Sequence, residues 1–433
     1  MFLGYFTEQP MSAYPEEEAR KRGGLTVLTF SNQFFDPDAG SRIYNERMEE
    51  YKLADQVGFD GIMINEHHNA PFCMMPEITV WASILAAITE RAKIVTLGIP
   101  LPVWDNPLMV AEAFAMIDMI SKGRLVSGIV RGGGTEQYAL NVNPVYNRDR
   151  LEEAHDLLIK TWTVPGPFRW EGDHYQFRVV NPWAVPMQKP HPRIWIPGTS
   201  SNETIEWAAA HRYPYIGLGT NEERQKRIMS IYTETARSKG YEPGPQNFGQ
   251  LTSIIAQDTS EKAMKNAEEF DWMAGEFTGL GHPVWSGPTG FLAAARRETQ
   301  VQRANGRLPF QGMRRQGRGA AKERTEALQA RSDDLTLIHG TPGQVIDRIR
   351  RLITKTRPGI FLFHSQEGLM NHADSMRCIE LLGTQVLPAV REMGAEMGLN
   401  SPFDIDAPVS LEFSTDLDLD LARRTLAEMA SRR

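Results

Sequence analysis

The chain has 433 residues, 41% of them hydrophobic and 23% charged, with a formal net charge of −7 at pH 7. That is ordinary globular composition with enough apolar material for a large core, and the acidic balance speaks against nucleic acid or an anionic membrane as the main partner. Two cysteines, Cys73 and Cys378, form no CxxC pair, so reduced thiols in a cytoplasmic protein are expected rather than a zinc knuckle or a disulfide framework. The opening MFLGYFTEQP is too briefly apolar for a signal peptide or a spanning helix.

In chain order, short apolar runs at 2–6, 60–65, 94–99, 125–130, 193–197, 213–218, 250–257 and 359–363 predict strands. They are continuously apolar rather than alternating, as parallel strands buried on both faces are. Helical patterns separate them at 43–57, 77–90, 107–121, 148–162, 202–211, 222–238, 260–272, 342–354 and 372–391. Over 107–121, Met109, Ala113, Met116, Ile117 and Ile120 form one apolar face. Glycine stops follow at Gly58 and Gly123. Eight strands each followed by a helix predict an α/β fold, a (β/α)8 TIM barrel. The alternative, a doubly wound open sheet, would need a phosphate-binding glycine fingerprint; GxGxxG and GxxxxGK[ST] are both absent, and Gly132-Gly133-Gly134 lacks the spacing.

The alternation breaks between 274 and 335, where Gly, Pro and Arg are frequent. An insertion of this length between strands seven and eight is either a solvated basic segment or a mobile lid over the active site. Residues 1–393 form the barrel with that insertion, and 394–433 form a C-terminal extension packing on the barrel or on a partner chain.

Chemistry in such a barrel sits where strands exit at their C-terminal ends. Strand two ends in Glu66-His67-His68, strand three in Pro100–Pro102 followed by Trp104-Asp105-Asn106, strand four in Arg131, strand five in Gly198-Thr199-Ser200-Ser201 and strand eight in His364-Ser365. The hydroxyl-rich turn running into a helix is either a simple N-cap or a phosphate site. Arg131 and Arg148 nearby would complete a phosphate clamp. His67 and His68 point in different directions because successive residues of an extended chain do. Each is either a hydrogen-bonded structural residue or an acid–base group. No HExxH or His-x-His pair is present, so no metal site is expected.

The segments GFDGIMINEHH, LPVWDNPLMVAEAFAMIDMISKGRLVSGIVRG, GTSSNETIEWAAA and HGTPGQVIDRI together resemble the bacterial luciferase-like family of flavin-dependent monooxygenases, over most of residues 1–270 and again over 338–391. The resemblance implies the same barrel. It implies His67 as the catalytic histidine, and Arg131, Arg148, Ser200, Ser201 and Thr204 around the FMN phosphate. Leu97-Gly98 would carry a cis peptide beneath the flavin ring. It implies a two-component enzyme that takes reduced FMN from a separate flavin reductase and uses O2, through a C4a-peroxyflavin, to oxygenate a small organic substrate. Hydroxylation, epoxidation and Baeyer–Villiger insertion all stay open. His68, Phe72, Trp104, Asn106 and His364 are candidates for the substrate pocket. An apolar mouth with Phe72, Met74, Met75 and Trp104 suggests a hydrophobic substrate, or else loop packing. A homodimer is expected. Val130 stands where the luciferase α-subunit has a reactive cysteine, and the C-terminal extension is a second departure, so light emission and an aldehyde substrate are not implied. The alternatives are an F420-dependent dehydrogenase or reductase and a non-catalytic luciferase-like subunit.

Overall fold

The computed structural model describes residues 1–21, 27–199, 201–271, 321–405 and 409–415. Its strands, in chain order, are β1 (Phe2–Thr7), β2 (Gly61–Ile64), β3 (Lys93–Pro100), β4 (Leu125–Val130), β5 (Phe168–Glu171), β6 (Gln176–Val180), β7 (Arg193–Gly198), β8 (Tyr215–Leu218), β9 (Phe248–Ala256), β10 (Leu337–Gly340) and β11 (Ile360–Gln366). The helices are α1 (Glu16–Lys21), α2 (Pro37–Gln56), α3 (Ile78–Ile88), α4 (Pro107–Ile120), α5 (Gly134–Ala139), α6 (Asn147–Thr163), α7 (Asn202–Ala210), α8 (Glu222–Ser238), α9 (Ser260–Phe270), α10 (Ala321–Asp333), α11 (Pro342–Thr356), α12 (His372–Leu381) and α13 (Leu387–Glu396).

Eight parallel strands close in the order β1-β2-β3-β4-β7-β8-β9-β11, with β11 returning to β1. Gly4 lies opposite both Gly61 of β2 and Leu362 of β11, and Tyr215 of β8 opposite Phe248 of β9, which fixes the closing register. This is the (β/α)8 barrel the alternation predicts. The continuous apolar runs are explained by two cores. Phe2, Phe6, Met63, Val95, Leu97, Trp195 and Leu251 fill the barrel interior, and the opposite faces of the same strands pack under the helices. Helix starts follow local chemistry: Asp36 caps α2 by accepting from Asp38 and Ala39 N–H with Pro37 in the first turn, and Asn221 and Thr259 cap α8 and α9. The expected stops hold, with Gly58 at φ 106° and Gly123 at φ 79°.

Four findings differ from the sequence reading or extend it. The apolar face of α4 divides: Ile117 is buried with Val110, Ala111 and Phe114, while Met109, Met116 and Ile120 are exposed. This helix is apolar nearly all round, so periodicity could not say which side faces the barrel. The antiparallel hairpin β5–β6 was not expected. Its turn is held by the Glu153 carboxylate of α6, which accepts from Trp170 Nε1 (3.1 Å), His174 N (2.8 Å) and Tyr175 N (2.9 Å). Strand β10, only four residues, pairs with Ser253–Ala256 of β9. The 274–335 insertion ends in α10; the lid reading of that segment falls, over 274–320, outside the described residues.

The described part of the C-terminal extension packs on the barrel. Phe403 lies across the N-terminal ends of the strands, its ring 5.6 Å from that of Phe2 and 6.1 Å from that of Trp195. Lys93 Nζ and the Arg193 guanidinium lie over the same ring at 5.1 and 5.2 Å. Residues 409–415 then run along α6 and α7, where Ser410 meets His191 and Ser414 meets His155, His211 and Trp207.

Candidate active site

At the C-terminal end of the barrel, β2 delivers His67 into a group of carboxylates. Its Nδ1 is 2.8 Å from Glu136 Oε1, and its Nε2 is 3.8 Å from Glu8 Oε2. The first bond orients the ring: Nδ1–H donates to Glu136, and Nε2 faces the Glu8 carboxylate. Glu136 itself is buried in the first turn of α5 and also accepts from Gly133 N (2.8 Å) and Thr135 Oγ1 (3.0 Å). Burial disfavours the imidazolium, but the Glu136 hydrogen bond and the Glu8 and Glu136 charges outweigh it and raise His67 to about 9. Burial likewise opposes ionisation of Glu136, yet His67 and the local donors bring it down to about 2. An ion pair is therefore the resting state of this couple at neutral pH.

A second acid–base couple adjoins it. His364 Nε2 lies 2.6 Å from Glu367 Oε1, which also accepts from Glu8 N at 2.6 Å. The His364 ring packs against Phe6 (4.7 Å) and Phe270 (4.9 Å). Burial lowers His364 to about 4 and raises Glu367 well above the usual carboxylate range, so both favour their neutral forms. Glu8 accepts from Asn65 Nδ2 and is raised chiefly by burial. It thus lies between the two histidines. Sequence reading found the histidines and missed Glu8, Glu136 and Glu367. Glu8 and Glu367 directly follow β1 and β11, and His67 comes three residues after β2, so a shared place just past strand ends was the available signal.

The remaining predicted residues divide by place. Phe72 is buried with its ring 5.0 Å from that of His67. His68 turns away: its Nε2 meets Glu66 Oε1 at 3.2 Å, and Glu66 accepts from Ile78 N at the start of α3, so this pair ties down the β2–α3 connection. The Leu97–Gly98 peptide within β3 is cis. Trp104 is half-buried, and Asn106 is exposed at the start of α4. Across the mouth, Arg148 at the start of α6 donates from Nη2 to Thr204 Oγ1 of α7 (3.0 Å). Its Nη1 is buried without a hydrogen-bond partner, 3.7 Å from Glu152. Ser201 is the N-cap residue of α7, yet its side chain makes no capping bond. Arg131 is half-buried just past β4, and its carbonyl accepts from Gln137 Nε2 (3.3 Å). Ser200 lies outside the described residues.

A family model described as luciferase-like monooxygenase matches residues 25–356. Among curated relatives, the oxygenase component of a flavin-dependent trigonelline monooxygenase from Acinetobacter baylyi is 29% identical over 57% of this chain and 69% of its own. An FMNH2-dependent dimethylsulfone monooxygenase from Pseudomonas putida is 26% identical over 86% of this chain and 94% of its own. With other relatives the match spans less of their length: 66% of an uncharacterised Sinorhizobium fredii protein and 52% of a Photorhabdus luminescens alkanal monooxygenase alpha chain. Two solved structures share the fold. The oxygenating constituent of 3,6-diketocamphane monooxygenase from Pseudomonas putida, in complex with FMN, superposes at TM-score 0.61 and 20% identity over 80% of this chain and 93% of its own. An F420-dependent secondary alcohol dehydrogenase does so at 0.59 and 18% over 90% and 99%.

Proposed function

Since the chain belongs to the luciferase-like monooxygenase family, we propose that it is the oxygenase of a two-component system, using reduced FMN and O2 to oxygenate a small, largely apolar organic substrate. The observation that carries this reading is the His67–Glu136 pair at the barrel mouth, with His67 Nδ1 2.8 Å from Glu136 Oε1. The other side of the mouth fits a phosphate. The α7 N-terminus lacks a side-chain cap, Ser201 and Thr204 present hydroxyls, and Arg148 has a buried Nη1 without a hydrogen-bond partner. Arg131 and Arg148 would neutralise the phosphate charge, and Leu97-Gly98 would floor the ring system. When bound, reduced FMN supplies the electrons that activate O2.

The residues of the chain do the rest. His67, charged until about pH 9, donates a proton from Nε2 to oxygen and takes it back from solvent or substrate. Glu136 holds the ring in its productive orientation. Phe72 and Trp104 supply apolar wall that keeps water from the reacting atoms. His364 and His68 would border the substrate. Relatives that are oxygenase components support delivery of the reduced cofactor by a separate reductase. The exposed Met109, Met116 and Ile120 of α4 support a homodimer. The reading places the chain in the cytoplasm; among the described residues no helix is long and apolar enough to cross a membrane.

Anaerobic titration with chemically reduced FMN, followed by rapid mixing with O2, tests the reading. Tight binding and flavin reoxidation slower than that of free reduced FMN are expected. Binding of F420 but not of FMN would instead make the chain a deazaflavin dehydrogenase or reductase, and binding of neither would make it a non-catalytic subunit. His67→Ala is expected to retain FMN and lose substrate oxygenation.

A further inference from the structure

The C-terminal segment 409–415 is bolted to the two helices whose starts form the phosphate end of the site. α6 and α7 meet at two levels. At the first, Arg148 reaches Thr204. About two turns further along α6 lies the second, where His155 and Asp156 face Trp207 of α7 and His211 just past its end, and Ser414 joins them. Asp156, buried, accepts from Ser414 N (2.6 Å), Thr415 N (2.8 Å) and Thr415 Oγ1 (2.6 Å). Trp207 Nε1 donates to Ser414 Oγ at 3.0 Å. His211 Nδ1 donates to the Trp207 carbonyl (2.9 Å), which leaves its Nε2 to accept from the Ser414 hydroxyl (3.2 Å). His155 Nδ1 lies 3.1 Å from the same hydroxyl oxygen, and its Nε2 is bonded to Tyr213 OH (2.8 Å). Ser414 Oγ thus has neighbours on both helices, and His155 Nδ1 also lies 3.0 Å from Asp156 Oδ1.

We infer that this strap is a positioning element for the cofactor phosphate: by clamping α6 to α7 through Asp156 and Ser414, it sets the distance between Arg148 and the start of α7. The inference rests on the proposed FMN site. Its physical basis is preorganisation. A phosphate bound by a guanidinium from one helix and hydroxyls from another gains affinity when that spacing is fixed beforehand, and loses it when the helices can drift. Nothing in the strap touches the cofactor site directly, so Asp156 and Ser414 act only through the helices.

The test compares FMN with riboflavin, which has the same ring system and no phosphate. Ser414→Ala and Asp156→Asn, and separately a chain ending at residue 408, are titrated with both flavins in the reduced state, and their melting temperatures are measured. The expected result is FMN affinity lowered roughly tenfold, the loss of about one charge-assisted contact, with riboflavin affinity unchanged. The ratio of the two affinities therefore falls. Equal loss for both flavins, in step with the melting temperature, would overturn the inference, because the strap would then only hold the fold together. Unchanged affinity for both would overturn it too. Ser414→Thr, which keeps the hydroxyl, is expected to retain the wild-type ratio. If the unaltered chain binds neither flavin, it is the FMN reading that fails, and the ratio cannot be formed.

Discussion

His67 stands between two carboxylates of opposite habit. Glu136 is brought down to about 2 and stays ionised, whereas burial raises Glu8. The elevated value of His67 rests first on the Glu136 bond and then on the Glu8 and Glu136 charges. In Glu136→Gln the imidazole loses its strongest partner, so its value falls toward the ordinary 6.5. The alkaline limb of the pH–rate profile, where the His67 proton is lost, is expected to move down by about one unit or more. An unchanged limb would mean that another group titrates there. At the other side of the mouth, Arg148→Ala removes a charge without touching the proton chemistry. It is expected to weaken reduced FMN by roughly tenfold to a hundredfold and leave reduced riboflavin unaffected, as read by titration.

At the scale of elements, β3 and β4 approach so closely that a Cβ on Gly128 would lie 2.2 Å from the Thr96 carbonyl oxygen and 2.7 Å from Leu97 Cα. Both neighbours are backbone and cannot swing aside. Gly128→Ala is expected to cost about 1–3 kcal/mol or more, measurable by denaturant unfolding. The outward side of α4 makes a different prediction. Met116→Lys places a charge in the exposed methionine stripe, and sedimentation is expected to show the proposed dimer dissociating with the fold intact. The barrel itself was legible because its strands are short, uniformly apolar and regularly spaced, and because helix caps and stops are local. Three things were not. The facing of α4 needed a polar side that the helix lacks. The β5–β6 hairpin depends on Glu153, fifteen residues before Phe168 begins the first strand, so no local pattern announces it. The acid partners of His67 come from the ends of β1 and from α5, and only closure of the barrel brings them together. The histidine was readable as one chemical group at a strand end; its environment was a property of the tertiary structure.

For the molecule as a whole, the join between tail and barrel carries its own pH dependence. Burial first, then the His155 charge, lowers His211 to about 4. Between that value and the 6.5 of the unfolded chain, the unfolded state takes up a proton that the folded state refuses, so stability falls as pH drops through this window. His211→Gln lacks that proton. Relative to it, the wild-type chain is expected to lose about 2 kcal/mol between pH 7 and pH 5, seen as a narrowing gap between the two melting curves; a constant gap would place the acid sensitivity elsewhere. The aromatic floor of the barrel has a further kinetic meaning. Phe403 closes the strand starts over Phe2 and Trp195, and the interior above them is packed with side chains. Among the described residues the strand starts are closed, so under the proposed reaction dissolved oxygen and the organic substrate would both enter from the opposite end. A substrate molecule seated too early obstructs the gas, and steady-state rates should fall at high substrate concentration and recover when the oxygen pressure is raised.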